Sequence, residues 1–151
     1  MLEERRGQMV GKFRASREEL MSAIEGLSEE EMAQPSIDGW SVKDQLVHIS
    51  HWNEILFVEI LRVSEGLPPA VPHFNPDEMD RFNELIRSKR VDWPVSRVLA
   101  ELEFTRARMI EALENCDERA LDQANYGMPG AQEGAEHESE HASHIRKLRG
   151  I

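Results

Sequence analysis

The chain has 151 residues, 40% hydrophobic and 31% charged, and carries a formal net charge of −11. This balance predicts one globular domain over residues 1–151, with enough apolar side chains for a single core and too many for a disordered chain. The acidic excess repels polyanions, so nucleic acid and anionic membranes are both excluded as expected partners.

In chain order, Met9, Phe13, Ser16, Leu20, Ile24 and Leu27 recur at three- and four-residue spacing, predicting an amphipathic helix from about residue 3 to Gly26. Ser28-Glu29-Glu30-Glu31 reads as a capping box for one short helical turn, stopped at Pro35. The segment Gln34 to Gly39 has loop composition. Ser41 then caps a second long helix, with Asp44 three residues on at the positive end of the helix dipole. Its apolar stripe is Val42, Ile49, Leu56, Ile60 and Val63, and it runs to about Glu65, where Gly66 ends it.

Leu67 to Pro72 is an extended linker, because each proline removes a donor and restricts the residue before it. An accessory helix runs from Asn75-Pro76-Asp77 to Arg90, with Met79, Phe82 and Ile86 on one face. Trp93-Pro94 starts a third main helix that carries Val95, Val98, Leu102, Thr105, Met109 and Leu113 to about Cys116. After an irregular stretch around Tyr126-Gly127-Met128-Pro129-Gly130, the last helix covers about Ala131 to Arg149. The pattern is all-α: a four-helix bundle with one accessory helix.

No stretch approaches the roughly 20 apolar residues that cross a bilayer, and the charged start Met1 to Arg6 has no apolar segment after it to make a secretory signal. A cytoplasmic location is expected. The lone Cys116 forms no internal disulfide and reads as a small packed residue near a helix end.

The last helix is the unusual one. Its core spacing reads Gly130, Gly134, His137, His141, His144 and Leu148, placing histidines where other helices place Leu, Ile or Phe. A buried polar group without a partner costs roughly 1–3 kcal/mol, so something must compensate these imidazoles. A divalent metal does so, since neutral imidazole ligates Zn, Ni, Fe or Cu. His137 and His141, spaced i, i+4, share one helix face, and His48 on the capped second helix offers a third ligand. Trp52, four residues beyond His48, places an indole beside the site. His51 stands as a supporting group, an alternative ligand or an exposed histidine, and His144 is similarly open.

Other chemistry is weaker. No Gly-rich phosphate loop and no Gly-x-Ser-x-Gly elbow occurs. His137-Glu138-Ser139-Glu140-His141 matches the zinc-protease letters His-Glu-x-x-His, but without the strand-rich half such proteases carry.

Gly39-Trp40-Ser41-Val42-Lys43-Asp44 followed by His48 and Trp52, the segment Asp80-Arg81-Phe82-Asn83, and His137-x-x-x-His141 together resemble the DinB superfamily of metal-dependent four-helix bundles. The likeness covers nearly the whole chain and is closest to maleylpyruvate-isomerase-like and colibactin-resistance-like members. It implies an up-down-down-up bundle, frequent homodimers, and a divalent metal on His48, His137 and His141 with open positions for water or substrate. Zn or Ni is the first expectation, with Fe or Mn next. It further implies activities ranging from thiol-dependent S-transfer and isomerisation to hydrolysis.

The chain departs from its relatives before and after His137, where Glu133, Gly134, Ala135 and Glu138 replace Asn and aromatic residues, and these changes predict a wider, more acidic pocket mouth. The expected function is a metal-dependent enzyme acting on a small electrophilic or thiol-linked substrate, with a low-molecular-weight thiol as a possible second cofactor. Trp52, Phe82 and Asn83 are expected to line the pocket, and Glu133 or Glu138 to act as base. The rival is a non-catalytic dimeric metal-binding or stress-related bundle.

Overall fold

The computed structural model of the chain describes residues 1–71, 73–127 and 130–151. Pro72 of the expected linker, and Met128 and Pro129 of the expected irregular stretch, lie outside the described residues. Among the described residues there are six α-helices and no strands: α1 Leu2–Ile24, α2 Glu29–Ala33, α3 Val42–Ser64, α4 Pro76–Lys89, α5 Val95–Glu114 and α6 Ala131–Arg149. Two short 3-10 turns, Glu118–Leu121 and Gln123–Asn125, shape the α5–α6 connection and give local order to a segment whose composition predicts an irregular stretch.

Local chemistry sets the boundaries. Ser41 Oγ accepts the amide of Asp44 at 3.0 Å while the Asp44 carboxylate accepts that of Ser41 at 2.9 Å, a closed capping box that fixes the entry angle of α3. Gly39, just upstream, has φ of +92°, a left-handed conformation that a side chain disfavours, and it turns the chain so that Ser41 can cap. Asn75 caps α4, with Pro76 in its first turn.

The four long helices form the bundle. α3 packs most extensively on α5, and α1 on α6, with α1·α5 and α3·α6 closing the ring. Arg149 of α6 donates to the Ala23 carbonyl at the end of α1, so these two helices run parallel. Lys43 at the start of α3 reaches Val91 and Trp93 just before α5, and Ser64 at its end meets Asp117 just after α5, so that pair is also parallel. Arg6 near the start of α1 donates to the Cys116 carbonyl beyond the end of α5, making the two pairs antiparallel. Numbering the long helices in chain order, the course is up, down, down, up.

The apolar core falls into two layers. One gathers Phe13, Leu56, Ile60, Met109 and Leu113 with the buried thiol of Cys116, and the other gathers Leu20, Leu46, Val98, Leu102 and Ile145. Between them lies a buried polar layer of Ser16, Ser50, Asn53, Thr105, Arg106 and Glu138. Each bundle helix contributes to it at the same level, and the candidate site opens beside this level. The accessory helix α4 buries no residue fully. It lies against α3, over the outer wall of the site.

Candidate metal centre

α3 and α6 bring three imidazoles together. His48 Nε2 lies 3.1 Å from His137 Nε2, and His137 Nε2 lies 3.1 Å from His141 Nε2. One ligand atom from each of these histidines falls within 4.8 Å of the others. The one-turn spacing on α6 stacks His137 and His141 on one face, and the α3·α6 contact presents His48 to both.

The donor set fits a metal ion. Three nitrogens around a tetrahedral ion with N–metal bonds of 2.0–2.1 Å lie about 3.3 Å apart, and the arrangement approaches that separation. His141 Nδ1 donates to Gln45 Oε1 at 3.0 Å, which leaves its Nε2 lone pair facing the other two rings. Gln45 is buried on the first turns of α3 and therefore holds the tautomer rigidly. Replacing Gln45 by Leu is expected to weaken metal binding 10- to 100-fold, in line with the loss of other supporting hydrogen bonds, as measured by competition with a chromogenic chelator.

Burial keeps these rings neutral. It pushes His48 down to about 2, with the neighbouring His137, His141 and His51 adding to the effect. It pushes His141 down to about 3, with help from His137 and His144, and lowers His137 against an opposing pull from Glu140. In the unfolded chain a histidine titrates near 6.5. Above that pH both states are neutral and the shift contributes nothing, while below it the unfolded state takes up protons that the folded state refuses. The metal-free protein is therefore expected to lose stability as pH falls from about 6.5, at up to about 1.4 kcal/mol per pH unit for each histidine. Urea melts at pH 7 and 5.5 measure this, and His→Ala variants should flatten the dependence.

A cleft of about 430 Å³ opens on one side of the triad. His48, Trp52 and Asn53 from α3, Met79 and Asn83 from α4, and Gly134 and His137 from α6 line it. Trp52 Nε1 donates to Asn83 Oδ1 at 2.9 Å, so the indole is held as a wall. Phe82 is not among the lining residues; it packs behind that wall, 5.7 Å from the Trp52 ring and 5.3 Å from Phe74. A Cβ on Gly134 would come within 3.1 Å of Leu56 and 3.3 Å of Phe13, so the glycine permits the close approach of α6. On the other side of the triad a second recess is lined by Asp38, Trp40, Gln45 and His144 among others.

The remaining histidines separate clearly. His51 faces Phe82 across 5.6 Å, with Glu54 at 3.7 Å, and burial, then Arg90, lowers its pKa to about 4. His144 is 43% exposed and sits 3.2 Å from Asp38. His73 meets the Gly127 carbonyl at the surface.

Glu133 is exposed and lines the cleft. The Glu138 carboxylate, in contrast, is held by Arg17 Nε at 2.7 Å, by Arg106 Nη2 and by Ser16 Oγ at 3.3 Å. Glu138 is 1% exposed, and with its carboxylate committed to α1 and α5 it is poorly placed for the zinc-protease role. The most buried line of α6 is accordingly Ala131, Ala135, Glu138, Ala142 and Ile145. This differs from the expected core line of glycines and histidines by a rotation of the helix: small alanines and one paired carboxylate face the bundle centre, and the histidines flank them, half-buried, toward α3. The partners of Glu138 were missed, although Ser16 and Thr105 within otherwise apolar stripes marked the level at which polar groups cross the core.

Comparison with known proteins agrees with the fold. No curated protein matches the sequence. An uncharacterised protein from Escherichia coli UTI89 superposes with a TM-score of 0.75 at 16% identity, over 96% of this chain and 92% of that one. The colibactin self-resistance protein ClbS, solved in complex with double-stranded DNA, superposes with a TM-score of 0.78 at 13% identity, over 95% of this chain and 94% of that one.

The second likeness corrects one expectation. Nucleic acid was excluded on net charge, yet a protein of the same fold has been solved on duplex DNA, and the exclusion is withdrawn. Net charge is a far-field sum, whereas phosphate contacts depend on where the cations lie, and this chain carries 18 Lys and Arg. No helix among the described residues is long and apolar enough to cross a membrane. The family profile of the DinB superfamily matches residues 12–145, and the chain belongs to that superfamily.

Proposed function

We propose that the chain is a metal-dependent enzyme acting on a small electrophilic or thiol-linked substrate, with His48, His137 and His141 as the metal ligands. The observation that carries this reading is the cleft of about 430 Å³ that reaches the triad from one side and gives a ligand access to the His48 and His137 imidazoles, His141 lying close behind them. When bound, a divalent ion, Zn or Ni before Fe or Mn, supplies Lewis acidity and open coordination positions there.

The chain's own residues do the rest. Gln45 holds His141 in the tautomer that leaves its Nε2 free. Trp52, fixed by Asn83, shields one side of the cleft from water and orients an apolar substrate. Glu133, one turn before His137 on α6, is the group we assign to accept a proton at the cleft mouth. A low-molecular-weight thiol is proposed as the second reactant.

The test is a thermal-shift series on metal-loaded protein with cysteine, glutathione and other small thiols, alongside hydrolysis of activated esters. A metal-dependent rise in Tm or turnover, lost in His48→Ala, supports the enzyme. Neither response, with metal still retained, leaves the non-catalytic metal-binding bundle.

A duplex-DNA partner is a second reading, favoured by the DNA-bound neighbour of the same fold. Fluorescence anisotropy with a labelled duplex at two salt concentrations tests it, and binding that weakens steeply with salt would support it.

A further inference from the structure

α6 carries two of the three imidazoles but has little apolar anchorage of its own. Its buried line is Ala131, Ala135, Glu138, Ala142 and Ile145, so the only large side chains on it are one carboxylate and, two turns later, one isoleucine. Helices interlock through ridges of side chains set into grooves, and alanine methyls make shallow ridges that resist rotation weakly.

Glu138, in contrast, is gripped from two helices at once. Arg17 Nε of α1 donates to Glu138 Oε1 at 2.7 Å, and the Arg106 guanidinium of α5 meets Oε2. Each arginine is also tied across to the other helix. Arg17 Nη1 donates to the Leu102 carbonyl of α5 at 3.3 Å, and Arg106 Nη1 donates to the Phe13 carbonyl of α1. The carboxylate therefore closes a brace over α1, α5 and α6, while His48 stands on the fourth bundle helix, α3.

Helix geometry links this brace to the ligands. At about 100° per residue, His137 lies about 100° and His141 about 60° from Glu138, both to the same side. Turning α6 by about 10° sweeps a side-chain tip, at a radius of about 5–6 Å, through roughly 1 Å. A metal-binding constellation tolerates only about 0.5 Å. We infer that Glu138 is a positioning residue of the metal centre: through Arg17 and Arg106 it sets the rotation of α6 at which His137 and His141 face His48. The inference rests on reading the triad as the metal site, and it assigns the control of metal affinity to a buried ion network on the far side of α6.

The experiment measures Zn affinity by competition with a chromogenic chelator, in variants shown to be folded by circular dichroism. The visible absorption of the Co-substituted protein is recorded beside it, because those bands follow coordination geometry. Glu138→Gln is expected to weaken Zn binding about 10- to 100-fold, the range for losing a group that orients a ligand, and to change the Co bands. Leu113→Ala truncates a fully buried side chain in the layer of Phe13 and Met109 without removing a member of the brace. It loosens the fold, yet its Zn affinity should stay within about twofold of wild type, as for independent sites. Arg17→Met leaves Arg106 and Glu138 as a neutral pair and is the milder change. It carries the test where Glu138→Gln does not fold, with an expected weakening of about five- to tenfold. Wild-type affinity and unchanged Co bands in the folded Glu138 or Arg17 variant would overturn the inference, as would an equal loss in Leu113→Ala. Wild-type protein that binds neither Zn nor Co would remove the triad reading itself, and this inference with it.

Discussion

Replacing Glu138 by Gln is expected to destabilise the protein by about 3–5 kcal/mol, the usual cost of removing one partner from a buried ion pair. Glu138 is 1% exposed and is the acceptor shared by Arg17 and Arg106, of which Arg106 is 5% exposed. Burial lowers the pKa of both guanidiniums, and the proximity of Arg17 lowers Arg106 further. The carboxylate is what allows them to stay charged inside the bundle. A neutral amide leaves two buried cations facing each other, in a protein whose whole stability is expected to be about 5–15 kcal/mol. Urea denaturation followed by circular dichroism measures the change. Glu138→Gln/Arg106→Met should recover part of it, because the excess charge then leaves with its partner.

The second large effect concerns His137, whose Nε2 touches those of both other imidazoles. His137→Ala is expected to weaken divalent-metal binding by at least about 100-fold, beyond the range seen for losing a supporting group. The metal-induced stabilisation, about 2.7 kcal/mol at a metal concentration of 100 times Kd in the wild type, should disappear with it. The metal-free variant should melt no lower than metal-free wild type, since it no longer crowds three desolvated rings against one another. That opposite response distinguishes a binding site from a structural histidine, whose loss lowers stability in either state. Differential scanning calorimetry with and without Zn measures both.

Much of the fold was legible because periodicity and caps agreed. The Ser41 N-cap, with Asp44 favouring the helix dipole, placed the start of α3 to the residue, and Val42, Ile49, Leu56, Ile60 and Val63 are all buried as their spacing required. The triad was legible for the same reason: once α3 and α6 were in register, His48 had one face on which to meet His137 and His141. The rotation of α6 was less so. Its sequence offers alanines and histidines to neighbouring faces, and spacing alone does not decide between them. What decides it is Glu138, which two arginines far away in sequence pull into the core. Phe82 illustrates the limit of a helical wheel: it shares a face with Met79, yet only Met79 lines the cleft while Phe82 supports Trp52 from behind. The exclusion of nucleic acid failed because a summed charge carries no map of the surface.

The central claim is that His48, His137 and His141 hold a divalent metal. Elemental analysis of untagged protein, saturated with Zn or Ni and dialysed against metal-free buffer, tests it most directly. About one ion retained per wild-type chain, and almost none in His48→Ala or His141→Ala, is the predicted result for a three-imidazole site. Wild-type protein that retains no metal after reconstitution, or variants that retain as much as wild type, would contradict it.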